Sequence, residues 1–129
     1  MSQPVTNASL PSTVMALIGA DTQTLFLRPS LTQLWENPKA YPNPSYALIE
    51  LEHNPIASKN APTTRGSMKS LVSSKWHYIE HEKLGQELYD WENDPQEKCN
   101  LAFSPEGRKV IDGLRRQLQE MVSIVPLQK

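Results

Sequence analysis

The sequence has a single cysteine, Cys99, so no internal disulfide can staple its fold. No apolar run approaches the length that crosses a bilayer. The first residues, Met1-Ser2-Gln3-Pro4-Val5, lack both the charged and the apolar region of a signal peptide. Charge of one sign is missing as well: 13 Lys and Arg against 14 Asp and Glu leave a formal net charge of -1. No basic run is interleaved with aromatics to attract a phosphate backbone, so neither nucleic acid nor membrane is expected as a partner.

Chemistry-bearing motifs are equally scarce. There is no glycine-rich phosphate loop and no G-x-S-x-G elbow. The carboxylates Glu87, Asp90, Glu92, Asp94 and Glu97 lack the D-x-D-x-D-G spacing of a calcium loop. Pro95 interrupts them, and they read better as a turn capping its own amides. Cys99 has no C-x-x-C partner. On a strand His77 and His81 share a face but sit about 13 Å apart, too far to hold one metal, and His53 stands alone. No catalytic residue and no metal ligand is therefore expected within the chain itself.

What is present describes one domain with a modest core: 129 residues, 38% hydrophobic and 21% charged. Eight of the eleven prolines (Pro4, Pro11, Pro29, Pro38, Pro42, Pro44, Pro55 and Pro62) precede residue 63. Proline breaks helix interiors and sheet ladders, so the first half is expected to be short elements joined by stiff loops. A helix is predicted over residues 10–18. Ser9 would cap it, Pro11 fits its first turn, Leu10, Val14, Leu17 and Ile18 share a face, and Gly19 stops it. A shorter helix over residues 30–36 would turn Leu31, Leu34 and Trp35 inward, with residues 21–28 as a connecting loop.

Strand signals follow. Residues 46–52 alternate, with Ala47, Ile49 and Leu51 on one face and Glu50 and Glu52 on the other. Residues 53–66 read as a long polar loop. Residues 68–72 and 75–81 form a predicted hairpin turning at Ser73-Ser74, and residues 86–91 a further strand after a turn at Gly85. A last helix is predicted from Pro105 to about Met121, capped by Ser104. Val110, Ile111, Leu114, Leu118 and Met121 are its apolar stripe, and Arg108, Lys109, Asp112, Arg115 and Arg116 fall on its wet side. Residues 122–129 read as a loose tail.

The class is α+β: a small antiparallel sheet of about three to four strands packed by a C-terminal helix, preceded by two short helices. Trp76 and Tyr78 point to one face of this sheet and Ile79 to the other; Tyr89 and Trp91 point one way and Leu88 the opposite way. The terminal helix can cover only one face. The second is expected to dock on something outside the chain.

The run Glu87-Leu88-Tyr89-Asp90-Trp91-Glu92-Asn93-Asp94-Pro95-Gln96-Glu97-Lys98-Cys99-Asn100-Leu101-Ala102 resembles a C-terminal signature of the sulfatases, close to E-L-Y-D-L-x-x-D-P-x-E-x-x-N-L-A. The one clear departure is Trp91 in place of leucine. Other stretches are similar to the family in the same order. Pro4-Val5 with Leu10-Pro11-Ser12-Thr13-Val14 resembles a helix start, with Ser9 for the usual Asp, and Arg28-Pro29-Ser30-Leu31 resembles G-R-S-L. Lys69-Ser70-Leu71-Val72 and Lys75-Trp76-His77-Tyr78-Ile79 resemble the strand pair before the signature, and Pro105-Glu106 opens the last helix as the family does.

The resemblance implies that residues 46–129 are a sulfatase C-terminal subdomain and residues 1–45 the end of the catalytic-domain region with its connection. The subdomain would dock on a large α/β domain of alkaline-phosphatase type, which would cover the second apolar face. Sulfatases hydrolyse sulfate esters with a formylglycine, made in a C/S-x-P-x-R motif, and a divalent cation, usually calcium. Cys99 is followed by Asn100-Leu101-Ala102 and does not match that motif. The nucleophile, the metal ligands and any export signal would lie upstream in the parent, and this chain alone is expected to be inactive.

Its own part would be structural, through the signature residues Glu87, Leu88, Tyr89, Asp90, Asp94, Pro95, Glu97, Asn100 and Leu101. His53, Lys59 and Arg65 of the 53–66 loop are candidates for the rim of the substrate pocket, where they would meet a sulfated small molecule or sugar. Two alternatives stay open: a free-standing interaction module derived from a sulfatase, and the tail of a related phosphodiesterase or phosphonate hydrolase.

Overall fold

The fold is described from a computed structural model, over residues 4–20, 29–37 and 46–124. The predicted loop over residues 21–28 and the last five residues lie outside this description. Four strands, β1 (Ala47–Leu51), β2 (Met68–Val72), β3 (Trp76–His81) and β4 (Gly85–Asp90), form one antiparallel sheet in sequential order. The first hairpin turns on Ser73, whose N–H donates to the Trp76 carbonyl and whose Oγ accepts from the Trp76 N–H, each at 2.8 Å. The second turns into Gly85, whose φ of 91° suits a residue without a Cβ.

Helix α3 (Pro105–Ile124) crosses one face of the sheet and runs three residues past the predicted end. Ser104 Oγ caps it by accepting from the Gly107 N–H at 2.9 Å. Leu71, Tyr78 and Leu88 are cross-strand neighbours with no exposed surface, and Ala102, Ile111, Leu114 and Leu118 close the core over them. Burying each of the three stabilises the fold by about 2 kcal/mol.

Three sequence expectations change on this side of the molecule. In β1 the alternation is as predicted, but Leu48 packs against the core, while Ile49 and Leu51 lie on the opposite face, 46% and 47% exposed. Pairing decides this: Leu48 lies opposite Leu71. Trp91 falls just beyond β4, and its indole Nε1 donates to the Ser73 carbonyl at 3.0 Å. Arg115 is not on the wet side. It leans over the sheet, its guanidinium donating to Gln86 Oε1 beside Glu80.

The N-terminal pieces are α1 (Leu10–Leu17) and the single turn α2 (Gln33–Glu36). Ser9 is the N-cap residue of α1, as predicted, but its side chain makes no cap hydrogen bond. It closes a 3-10 turn over Asn7–Ser9, and Thr6 Oγ1 caps that turn through the Ala8 N–H at 3.3 Å. The side of α1 that is buried is polar: Ser9, Ser12 and Thr13, with the Ser9 carbonyl accepting from both hydroxyls. Thr13 Oγ1 also accepts from the Leu31 N–H at 2.9 Å, joining the two pieces. Leu10, Val14, Leu17 and Ile18 face outward, each more than half exposed. In α2, Leu34 is buried and Trp35 is 65% exposed, because adjacent positions on one helical turn point in different directions.

Candidate functional site

The 53–66 loop is ordered by its own backbone. The Asn54 N–H donates to the Thr63 carbonyl at 2.9 Å, and residues Pro62–Thr64 form a 3-10 turn closed by the Arg65 N–H on the Pro62 carbonyl, also at 2.9 Å. Of the three predicted rim residues, His53 lies against the loop, with Nε2 3.2 Å from the Thr64 carbonyl. Lys59 and Arg65 are exposed. Among the described residues no hydrogen bond or ion pair joins any two of the three.

The loop is fastened at its far end by residues that sequence reasoning did not single out for this role. His81 is 6% exposed. Its Nδ1 accepts from the Lys83 and Leu84 N–H groups at 3.0 and 3.1 Å, so the proton sits on Nε2, which donates to the Pro62 carbonyl at 2.9 Å. Beside it, Glu82 Oε2 accepts from the Ser67 N–H and Oγ–H at 3.2 Å each, which holds its carboxyl below the usual glutamate range. Gly66 is buried against both: a Cβ there would stand 3.0 Å from Glu82 Oε2 and 3.2 Å from His81 Cε1. A shallow depression of about 230 Å³ next to this fastening is lined by Ser67, Met68, Lys69, Glu80 and Glu82, and includes none of the rim candidates.

The signature run is a hydrogen-bonded return along the outer edge of β4. Asn100 Oδ1 accepts from the Leu88 N–H at 3.1 Å and the Ala102 N–H at 2.9 Å, and the Leu101 N–H donates to the Leu88 carbonyl at 2.7 Å. This satisfies an edge that would otherwise present bare backbone groups. Asp90 caps the turn through the Asn93 N–H at 3.2 Å, and Asp94 Oδ2 accepts from the Cys99 N–H at 2.8 Å. Burial pushes the Asp90 carboxyl up, but hydrogen bonds from Asn93 and the charge of Lys75 hold it below the usual range. Gly107 lets α3 approach: a Cβ there would lie within 2 Å of the Leu101 carbonyl oxygen, at 1.9 Å. Cys99 is exposed.

Glu97 adopts a left-handed backbone with φ of 51°, unusual for a side chain of its size. Its carboxylate reaches His77 Nδ1 at 2.5 Å, and His77 Nε2 meets Ser70 Oγ at 3.1 Å on the face away from α3. Tyr89 shares that face and donates to Glu87 Oε2 at 2.6 Å. Burial first, then Glu87 and the nearby negative charges, push its phenol up to about 12. Among the described residues no group of three or more His, Cys, Asp or Glu is placed to hold a metal ion.

No protein-family model matches the sequence, and a search of curated proteins finds no match. Solved structures do match. A 2-O GAG sulfatase superposes with a TM-score of 0.67 at 21% identity, over 88% of this chain and 23% of its own. The phosphonate monoester hydrolase of Agrobacterium radiobacter superposes with a TM-score of 0.66 at 19% identity, over 89% of this chain and 24% of its own. A protein solved with its substrate D-glucosamine-2-N,6-O-disulfate gives 0.66 and 19%, over 88% and 23%. This chain therefore spans about a quarter of the length of the proteins it matches, and its fold is that of their C-terminal portion.

Proposed function

We propose that the chain is the C-terminal portion of a sulfatase, with residues 46–129 as its subdomain and residues 1–45 as the end of the catalytic-domain region. The observation that carries this is the match of nearly the whole chain to about a quarter of sulfatase-like enzymes. The face carrying Ile49, Leu51, Ile79 and Tyr89, away from α3, supports it, since a catalytic domain of the same parent would cover that surface. In this reading the chain completes the fold, and His53, Lys59 and Arg65 stand at the rim of the pocket, facing a sulfated sugar.

The described residues of this chain fit neither formylglycine nor calcium. Cys99 is followed by Asn100-Leu101-Ala102, and no three of the described His, Cys, Asp and Glu side chains are placed to hold a metal ion. Both groups belong to the upstream domain in this reading. The phosphonate monoester hydrolase match favours a second reading, in which the parent acts on phosphonate or phosphate esters.

The reading of the gene upstream of Met1, with assay of the full-length product, tests both. An open frame with a C/S-x-P-x-R motif, and release of sulfate from N- and 6-O-sulfated glucosamine, is the expected outcome. Hydrolysis of a phenylphosphonate monoester with no sulfate release would select the second reading. A full-length protein with neither activity would leave an interaction module.

A further inference from the structure

The geometry points to His81 as a positioning residue that clasps the 53–66 loop to the β3–β4 turn and so sets how Lys59 and Arg65 meet an anionic sugar. The inference rests on the pocket-rim reading above. His81 bridges two backbone segments distant in sequence: the Pro62 carbonyl on one side and the adjacent Lys83 and Leu84 N–H groups on the other. It is buried at 6% exposure, so water does not compete for either ring nitrogen. The 3-10 turn it grips, Pro62–Thr64, is the segment that leads into Arg65 and accepts the Asn54 N–H from the start of the loop. One imidazole therefore ties to the β3–β4 turn the 3-10 turn on which the start of the loop also closes. Such preorganisation saves a ligand the cost of ordering a loop on binding.

The two ring nitrogens can be separated by mutation. In His81→Asn the amide oxygen stands near the place of Nδ1 and keeps the acceptor for the hairpin turn, while the donor to Pro62 is lost. In His81→Gln the longer side chain carries a donor back toward Pro62. The experiment uses the full-length protein. Amide exchange is read at Asn54 and Arg65, and KM and kcat are read with N- and 6-O-sulfated glucosamine and with 4-nitrophenyl sulfate, which has no sugar to meet the rim.

His81→Asn is expected to speed exchange at Asn54 and Arg65 about fivefold, and to raise KM for the sulfated sugar by a similar factor, for the loss of one hydrogen bond. Its kcat and its KM for the aryl sulfate should hold, and His81→Gln should recover part of the loss. Unchanged exchange in His81→Asn overturns the clasp whatever the kinetics. Faster exchange with unchanged sugar KM, while a Lys59→Ala/Arg65→Ala double variant raises that KM, overturns positioning and leaves the rim reading standing. If the double variant leaves KM unmoved, the rim reading falls and the inference falls with it.

Discussion

Asn100 shows how much one side chain carries in this fold. Its Oδ1 closes the edge of β4 at Leu88 and starts the return into α3 at Ala102. Asn100→Ala leaves two backbone donors without that partner and should lower unfolding stability by about 2 kcal/mol, whereas Asn100→Asp keeps the acceptor and should cost less than half as much. Chemical denaturation of the three proteins checks this. Tyr89 offers a second residue-scale test. Its phenol is held above the ordinary 10.0, at about 12, by burial and by donation to Glu87. A folded-state pKa raised in this way stabilises the fold fully below pH 10.0 and is lost as pH climbs through about 12. Ultraviolet titration of tyrosinate, with Tyr89→Phe to identify the late component, should show Glu87→Gln bringing that component down toward the ordinary value.

At the scale of elements, the two glycines of α3 make opposite predictions. Gly107→Ala drives a Cβ into the Leu101 carbonyl and should destabilise by about 3 kcal/mol. Gly113 is exposed with nothing within 4 Å of its Cβ position, so Gly113→Ala should stabilise by about 0.8 kcal/mol through helix propensity alone. Thermal melts of the two variants should move in opposite directions. Nothing in sequence distinguishes the two, because the difference lies in Leu101 crossing the first turn of the helix. The same holds for His81, whose three partners are backbone groups, and for Arg115, whose seat depends on Gln86 and Glu80 from the sheet. The strands and the α+β class were legible because period-two alternation survives in any context. Which face of β1 turns to the core was not, since pairing of Leu48 with Leu71 decides it. The α1 stripe was legible as a stripe, but its helix buries Ser9, Ser12 and Thr13 instead.

Across the described residues, exposed apolar side chains include the outer face of α1, Trp35, Ile56 and Phe103, and, on the sheet face away from α3, Ile49 and Leu51. On the sheet face the polar relay Ser70–His77–Glu97 and the His81 clasp are internally satisfied, while Ile49 and Leu51 remain nearly half exposed beside them. Surface of this kind, next to polar groups already paired, favours contact over solvation. Expressed as these 129 residues alone, the chain should self-associate, with sedimentation that depends on concentration. The double variant Ile49→Lys/Leu51→Lys should shift it toward monomer with an unchanged circular dichroism spectrum, since neither side chain enters the core. In a longer parent whose catalytic domain covers the face, the same two substitutions should instead lower the unfolding temperature, because buried lysines there would lack partners. A 129-residue chain that stays monomeric at every concentration and melts sharply at high temperature would show that this face needs no cover.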